Sequence, residues 1–585
     1  MKVVIIGGTA GGAGVAARLR RLDENVEITI IEKNSYISWA GCALPYFAGG
    51  VIQDRDTLFL ATKEMFYQRF RIEVLEGLRA VGIDRENKNV LVEDAILPTK
   101  NPRAIHYDKL VIATGAEAVV PAFARYRNDD GIFTMRSIED AEGVRNYVKS
   151  HNVKSAVVVG GGFIGLEACE NLRRLGLKIT LVEKTPQVLT PVDPDIANYL
   201  HRELDQAGVT LKLGVGIRDI PVLKEEDKAE GSDGAELKVE LENGEIINTQ
   251  MVIMSLGIRP ASSFVEKSGV ELTSRGYVLV SDTMQTSDPN IFALGDVVTV
   301  QDVYEHRLGT IALAGPASKQ ARVLASNLLL NGADGQAESL EGNAAAHHYH
   351  GSLGVSIVRV LHLTAGAVGA NRHLLRLQGY PEEQIGEVTV HTPHHVSWFE
   401  QALPVHLKVL FDKRSGLILG AQAVGEVSID KNLEVIAALM QKNSTVYDMV
   451  EFESAYAPPF SAPRSPVNMA GSTAVNVVEG LEDSISCEQL QRLAPEKTVF
   501  LDVRTPEEYG AGSIPHFINA PLDSLREYLE DHPIDPNKQY VVTCQVGVRG
   551  HTAACLLHHA GVQHVMNLSG GYVSWVAHNY KLKNA

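Results

Sequence analysis

Short apolar runs that break off at glycine recur along the chain. Lys2 begins KVVIIG and Ser155 begins SAVVVG. Each run leads through a glycine-rich turn into a stretch with apolar residues at helical spacing, VAARLRRL in the first copy and LEACENLRRLG in the second. Each copy then closes with another apolar run that ends on a glutamate, VEITIIEK and KITLVEK. Apolar runs of this length bounded by turn residues predict buried strands, and the 3.6-residue spacing between them predicts a crossover helix. Each copy is expected to form a βαβ unit, and two copies in one chain are more informative than either alone.

Further along, GVSIVRVL and VHLKVLF predict strands, DKNLEVIAALMQK predicts a helix, and YVVT opens a last strand, loop and helix. Residues 224–236 are polar and charged and are expected to form an exposed loop; residues 331–346 mark a break between domains. The pattern predicts an α/β protein with two nested Rossmann-like units. One spans 1–150 and resumes at 271–330, and the other spans 151–270. An α+β domain at 331–470, a linker at 471–484 and a C-terminal α/β domain at 485–585 follow.

The length of 585 residues agrees with several cores, since a domain averages about 150 residues. A net charge of -17 repels phosphodiesters and anionic lipid, so nucleic acid and membrane surfaces are not expected partners. An anionic substrate needs a local basic site, for which Arg18, Arg20 and Arg21 are candidates. The five cysteines form no CxxC pair and are too scattered for a disulfide framework, which points to a reducing, cytoplasmic setting. The opening MKVVIIGG runs into glycines and an arginine-rich helix without a cleavage site, and no apolar run reaches the ~18 residues of a membrane span.

Gly7, Gly11 and Gly12 allow a tight turn and close approach to a pyrophosphate, whose charge is met by the N-terminus of the next helix. Glu32 ends the second strand, where a carboxylate accepts bonds from a ribose hydroxyl; Thr9 takes the middle glycine position. Gly160, Gly162 and Gly165 complete the second motif, with Glu183 in the same role. A carboxylate there repels a 2'-phosphate, so NADH is favoured over NADPH, although Lys184 stands beside it. The histidine clusters at 347–350 and 391–395 lack cysteine or carboxylate partners at a zinc-like spacing, and no metal is expected.

With KLVIATGA (109–116) and TSDPNIFALGD (286–296) added to the two glycine motifs, the chain resembles the pyridine-nucleotide-disulfide oxidoreductase family over residues 1–470. The resemblance implies FAD in the first site, with Thr114 and Gly115 in its surroundings and Asp296 on the ribityl chain. It also implies that the helix entered at AGPASKQ, with Gly315 and Ala317, points at the flavin ring. The second site would take the nicotinamide nucleotide, and the 331–470 domain would form a homodimer.

Many relatives place a CxxxxC pair beside the flavin. Here Cys42 is followed five residues later by Phe47, so no internal disulfide can form. A cysteine at a helix start, with Pro45 in the first turn, is expected to serve as a thiolate nucleophile. Its redox partner is then a small thiol captured as a mixed disulfide, or oxygen and peroxide through a sulfenic acid.

The segment SxxxCxLPY, with Ser38 and Cys42, resembles the coenzyme A-disulfide and coenzyme A-persulfide reductases of the family. That likeness implies coenzyme A as substrate or ligand, Tyr456 as a proton donor across a dimer interface, Arg464 on a coenzyme A phosphate, and Arg18, Arg21 and Ser38 as substrate contacts. Gly41 replaces an asparagine of the relatives, and the segment His395, Val396, Ser397, Trp398 and Phe399 replaces one with a second catalytic tyrosine. These departures favour a persulfide or polysulfide over the simple disulfide.

The tail, with LDVRTPEEYGAGSIPHFINAPL (501–522) and CQVGVR (544–549), resembles a rhodanese domain in which Cys544 would carry sulfane sulfur and Arg549 would close its loop. Four residues separate Cys544 from Arg549, one fewer than in related phosphatases, which favours sulfur transfer. Asp502 and Arg504 are expected as structural supports, and Cys169, Cys487 and Cys555 as packing. A passive sulfur-binding module and an NADH oxidase or peroxidase working through Cys42 remain open alternatives.

Overall fold

The computed structural model describes residues 1–99, 101–124, 128–221, 237–301, 308–330, 346–535 and 537–582. The expected loop at 224–236 lies outside these residues, as does nearly all of the break at 331–346. Strand β1 (Lys2–Ile6), helix α1 (Ala10–Leu22) and strand β2 (Glu27–Ile31) form the first βαβ unit. Both strands are parallel, and β1 is flanked on its other side by the strand Lys109–Ile112. Two more parallel strands, Glu73–Leu75 and Ile291–Ala293, complete a five-stranded sheet. The last of these is supplied from far down the chain, which is why the first unit resumes after the second.

The second unit repeats the arrangement with β3 (Ser155–Val159), α2 (Phe163–Arg174) and β4 (Lys178–Glu183) in another five-stranded parallel sheet. Val3, Val4 and Ile5 of β1 and Val158 of β3 are fully buried, as strands covered on both faces must be. Helix α3 (Ala314–Leu330) packs on α1 and on the turn Gly295–Val297.

The third domain is a five-stranded antiparallel sheet that includes β5 (Ile385–Pro393), covered by the helix Ile429–Met440 and by α4 (Pro466–Val478). The last is a five-stranded parallel sheet with β6 (Gln539–Thr543) at its centre, followed by α5 (Val548–His559) and α6 (Gly571–His578). The fold is thus two nested dinucleotide-binding units, an α+β domain and a C-terminal α/β domain.

The C-terminal domain is docked against both of its neighbours. Ser569 Oγ accepts from the Thr389 N–H at 2.7 Å, His391 Nε2 lies 2.9 Å from Ser574 Oγ, and the Tyr580 hydroxyl donates to Asp205 at 2.6 Å. Between the second unit and the antiparallel sheet, Lys408 is 4% exposed and lies within 3.1 Å of both Asp193 and Asp195 and 3.5 Å from Glu387. A lysine so buried is tolerated only with such compensation, and the carboxylates hold its pKa above the usual lysine range.

Candidate active site

The two glycine loops are built alike. Gly7 has φ +102° and Gly160 has φ +106°, conformations that favour glycine, and a Cβ would stand 2.3 Å from the carbonyl of Ala113 or of Ser255. A Cβ on Gly12 would stand 1.9 Å from the Gly7 carbonyl, and one on Gly165 the same distance from the Gly160 carbonyl. These contacts bring each helix N-terminus against its loop. Gly11 faces Leu294, while Gly162 and Gly315 have open space around the missing side chain.

Glu32 accepts from Gly8 N at 2.8 Å and from Asn34 N at 2.9 Å, and burial raises its pKa. Glu183 holds the matching position, accepting from Gly161 N at 2.6 Å and Thr185 N at 2.7 Å. Asp296 pairs with Arg136 at 3.1 Å, and the Thr114 hydroxyl donates to the Ala261 carbonyl at 2.7 Å beside Gly115, which has φ +67°. Ala317 is buried in the first turn of α3.

The Cys42 loop is tied to both units. Ser38, at φ +48°, donates its N–H to the Gly8 carbonyl at 2.9 Å, fixing the loop to the first glycine turn. Cys42 is exposed in the one-turn 3-10 helix Gly41–Ala43, and the helix Leu44–Ala48 follows, with Pro45 in its first turn. The expected helix is therefore only five residues long, because Gly49 and Gly50 end it. From that helix the Tyr46 hydroxyl donates to Glu167 of α2 at 3.2 Å. Burial raises the Glu167 pKa to about 7, and burial with the neighbouring carboxylate raises that of Tyr46 to about 12. A Cβ on Gly41 would meet the Trp39 ring at an ordinary 3.4 Å, so loop sterics do not require the glycine.

The basic candidates separate. Arg20 is 5% exposed and bonds to the carbonyls of Phe70, Asp23, Glu24, Val26 and Arg71, so it pins α1 and is not an anion contact. Arg21 is exposed and caps Ala17 within its own helix. Arg18 lies near Arg322 and Arg21, and together with burial these cations lower its pKa. Among the described residues its buried Nε has no hydrogen-bond acceptor. Tyr456 is 48% exposed and Trp398 71% exposed, whereas His395 is buried and bonds to the Val396 carbonyl.

In the last domain Cys544 is 1% exposed, and the Gly547 N–H reaches its Sγ at 3.1 Å. Arg549, at the far end of the loop, makes two 2.7 Å bonds to Glu508 outside it, and this pairing lowers the Glu508 pKa to about 2. Asp502 and Arg504 form a buried pair at 2.7 Å, with the guanidinium 4.0 Å over the Tyr572 ring, a supporting arrangement as expected. A cavity of about 130 Å³ adjoins residues Val546 to Val548, lined also by Arg464, Asn476, Glu482 and His551. Arg464 thus faces the C-terminal domain.

Residues 1–321 match the family model described as pyridine nucleotide-disulphide oxidoreductase, more than half of the chain. The chain belongs to that family. Residues 355–465 match the dimerisation domain of these oxidoreductases and residues 486–578 a rhodanese-like domain. A coenzyme A disulfide reductase of Staphylococcus epidermidis is 32% identical over 470 residues, 80% of this chain and 99% of that protein.

Two solved structures extend over the C-terminal domain as well. Reduced Bacillus anthracis CoADR-RHD has a TM-score of 0.89 at 37% identity, covering 99% of this chain and 98% of that one. An NAD-dependent persulfide reductase from A. fulgidus has a TM-score of 0.85 at 30% identity, covering 99% and 100%.

The oxidoreductase family implies FAD and a nicotinamide nucleotide, and the two glycine cradles, each closed to a Cβ, fit such groups. No helix among the described residues is long and apolar enough to cross a membrane. Sequence reasoning missed Glu167 and Glu508. Glu167 follows the second glycine motif by two positions and carried no spacing signal; Glu508 lies 41 residues from the arginine it clamps.

Proposed function

We propose that the chain is an NADH-dependent reductase of coenzyme A persulfide, polysulfide or coenzyme A disulfide, acting through Cys42 and coupled to sulfur transfer at Cys544. The observation that carries this reading is the double attachment of the Cys42 loop. Ser38 binds it to the first glycine turn and Tyr46 to the helix of the second, so one exposed thiol stands between the two nucleotide sites. When bound, FAD would relay the electrons of the nicotinamide to sulfur at Cys42.

Cys42 attacks the outer sulfur of a persulfide, or one sulfur of a disulfide, the S–S bond breaks, and the departing thiolate takes a proton from Tyr456 across the dimer interface. Gly7, Gly11, Gly12, Glu32, Thr114, Gly115, Asp296, Gly315 and Ala317 hold the flavin nucleotide. Gly160, Gly162, Gly165 and Glu183 hold NADH. Arg18, with its unbonded Nε among cations, suits a phosphate of coenzyme A, with Arg21, Ser38 and Arg464 as further contacts. The names of the relatives, coenzyme A disulfide reductase and NAD-dependent persulfide reductase, support the substrate class.

Cys544 carries sulfane sulfur in a loop whose Gly547 N–H faces the thiol, with Arg549 closing it. The division into 1–150 with 271–330, 151–270, 331–470, 471–484 and 485–585, the homodimer and the cytoplasmic setting belong to the same reading. To test it, NADH consumption is measured with oxygen, peroxide, coenzyme A disulfide, coenzyme A persulfide and polysulfide, in wild type, Cys42→Ser and Cys544→Ser. Turnover on the sulfur substrates that vanishes in Cys42→Ser supports the reading. Fast oxygen or peroxide turnover replaces it with an oxidase or peroxidase, and unchanged polysulfide turnover in Cys544→Ser makes the last domain a passive module.

A further inference from the structure

A second constellation of nucleophile, base and carboxylate lies in the C-terminal domain, apart from the Cys544 loop. Cys555 and His551 are four residues apart on one face of α5, with Cys555 Sγ 3.8 Å from His551 Nε2. On the other side of the ring, His551 Nδ1 lies 3.0 Å from Glu482 Oε2. Glu482 is 2% exposed and is fixed by a second bond, from Asn567 Nδ2 at 3.1 Å. The tautomer follows from the partners: a carboxylate can only accept, so Nδ1 carries the proton and Nε2 presents its lone pair. That lone pair faces the Cys555 thiol and the Asn476 amide, which is 3.4 Å away.

Thiol, imidazole base and orienting carboxylate are the parts by which an activated nucleophile is recognised, whatever the fold around them. Cys555, a packing residue on the sequence reading, is half-buried rather than sealed, unlike Cys169 at 0% and Cys487 at 5% exposed. Glu482, His551, Asn476 and Asn567 all line the cavity beside the Cys544 loop. Asn567 is 5% exposed and is held by its Nδ2 bonds to Glu482 and to the Gly547 carbonyl at 3.0 Å, with its Oδ1 packed against α5 where a Cβ on Gly550 would stand 2.2 Å away.

We propose that Cys555, His551 and Glu482 form a second thiol site that captures small-molecule disulfides. His551 Nε2 takes the proton of Cys555 as Sγ attacks one sulfur of the disulfide. The substrate S–S bond breaks, a bond forms between Cys555 and the attacked sulfur, and the departing thiolate recovers the proton from His551 and leaves as a thiol. Cys555 is oxidised to a mixed disulfide and one substrate thiol is released reduced, so no further oxidant or reductant is needed. Glu482 is a positioning residue, fixing the ring and strengthening the base. Burial and the Glu482 charge raise the Cys555 pKa, so the resting thiol keeps its proton, while the bond to Glu482 raises that of His551. The site is therefore one of general-base activation rather than of a standing thiolate.

The test uses the full chain carrying Cys42→Ser and Cys544→Ser, so that Cys555 is the only thiol not buried. Dithiodipyridine is the probe; release of thiopyridone gives the rate, and peptide mass locates the adduct. One equivalent on Cys555 is expected, with a rate that falls about a hundredfold in His551→Gln, the lower end of what a positioned base contributes. Glu482→Gln should move the rising limb of the rate against pH to lower pH, because the carboxylate raises the His551 pKa. Glu482 and Cys555 are the titratable groups at the ring, and Arg464 is the cation lining the same cavity.

An adduct on another residue, or a rate unchanged in His551→Gln, overturns the proposal. A His551→Gln chain that failed to fold would expose Cys169 and Cys487 to the same probe. In that event the Glu482→Gln limb decides, and an unmoved limb overturns the proposal.

Discussion

Replacing Glu183 with glutamine should convert a nucleotide site that discriminates by charge into one that does not. The carboxylate is held at the end of β4 by Gly161 N at 2.6 Å, Thr185 N at 2.7 Å and the Thr185 hydroxyl at 2.9 Å. Its charge therefore stays in place when a ligand arrives. Lys184 does not neutralise it, being 74% exposed and turned to Glu242 at 3.0 Å.

A 2'-phosphate charge about 5 Å from this carboxylate would be repelled by about 0.8 kcal/mol in bulk water and about 3 kcal/mol at a protein-surface dielectric of about 20. At about 1.4 kcal/mol per tenfold, this repulsion accounts for a preference for NADH of between about 4-fold and about 200-fold. Glutamine keeps the shape and one accepting oxygen, so the NADH/NADPH ratio of kcat/KM in Glu183→Gln should fall by about 10- to 100-fold, chiefly through the NADPH KM. Added salt should shrink the wild-type ratio. A ratio that stays within about twofold of wild type, at low salt, would refute the electrostatic reasoning.

Other expectations follow from the same geometry. Gly12→Ala should yield protein with little bound flavin, measured as visible absorbance per chain, because its Cβ would stand 1.9 Å from the Gly7 carbonyl; a normal flavin content contradicts this. Glu167, with a pKa of about 7, should ionise as pH rises and place a negative charge beside the Cys42 loop. Stopped-flow reduction should then slow as pH rises through about 7, and Glu167→Gln should remove that inflection.

Burial depresses the pKa of His406 and of His201 to about 4 each, and holds that of His391 well below the usual histidine range. Since the unfolded chain binds protons at these sites from about pH 6.5 downward, each should cost about 1.4 kcal/mol of stability per pH unit until its folded pKa is reached. Melting temperature should therefore fall between pH 7 and 5, and a flat profile would count against neutral rings at His201 and at His391 and His406, whose Nδ1 atoms lie 2.7 Å apart. Glu508→Gln should free Arg549 and cost no more than about 1 kcal/mol, because both side chains are a third exposed; thermal melting with cyanolysis of the Cys544 persulfide measures both effects.

The strands and helices of the two βαβ units were legible because buried parallel strands leave uninterrupted apolar runs, and the glycines that break them are forced by carbonyl contacts within one unit. Glu32 and Glu183 were readable for the same reason, being fixed at a strand end relative to a local loop. Arg20 is misread in the sequence because two of its five carbonyl partners, Phe70 and Arg71, lie about fifty positions away and none of the five leaves a side-chain pattern. The pairs Tyr46 with Glu167 and Arg549 with Glu508, and the His391 contact with Ser574, join elements that meet only when the sheets are assembled. Cys555 sat on a helix whose spacing to His551 was visible in the sequence. The carboxylate that gives the spacing meaning comes from the linker before the domain.

The central claim is that Cys42 finds its sulfur partner in the substrate. It is tested most directly by treating the reduced, full-length protein with coenzyme A disulfide in the absence of NADH and locating the adduct by peptide mass. One coenzyme A is expected on Cys42, released as free thiol when NADH is added, with no adduct at that position in Cys42→Ser. A Cys42 that stays unmodified by the disulfide while peroxide converts it to a sulfenic acid would contradict it.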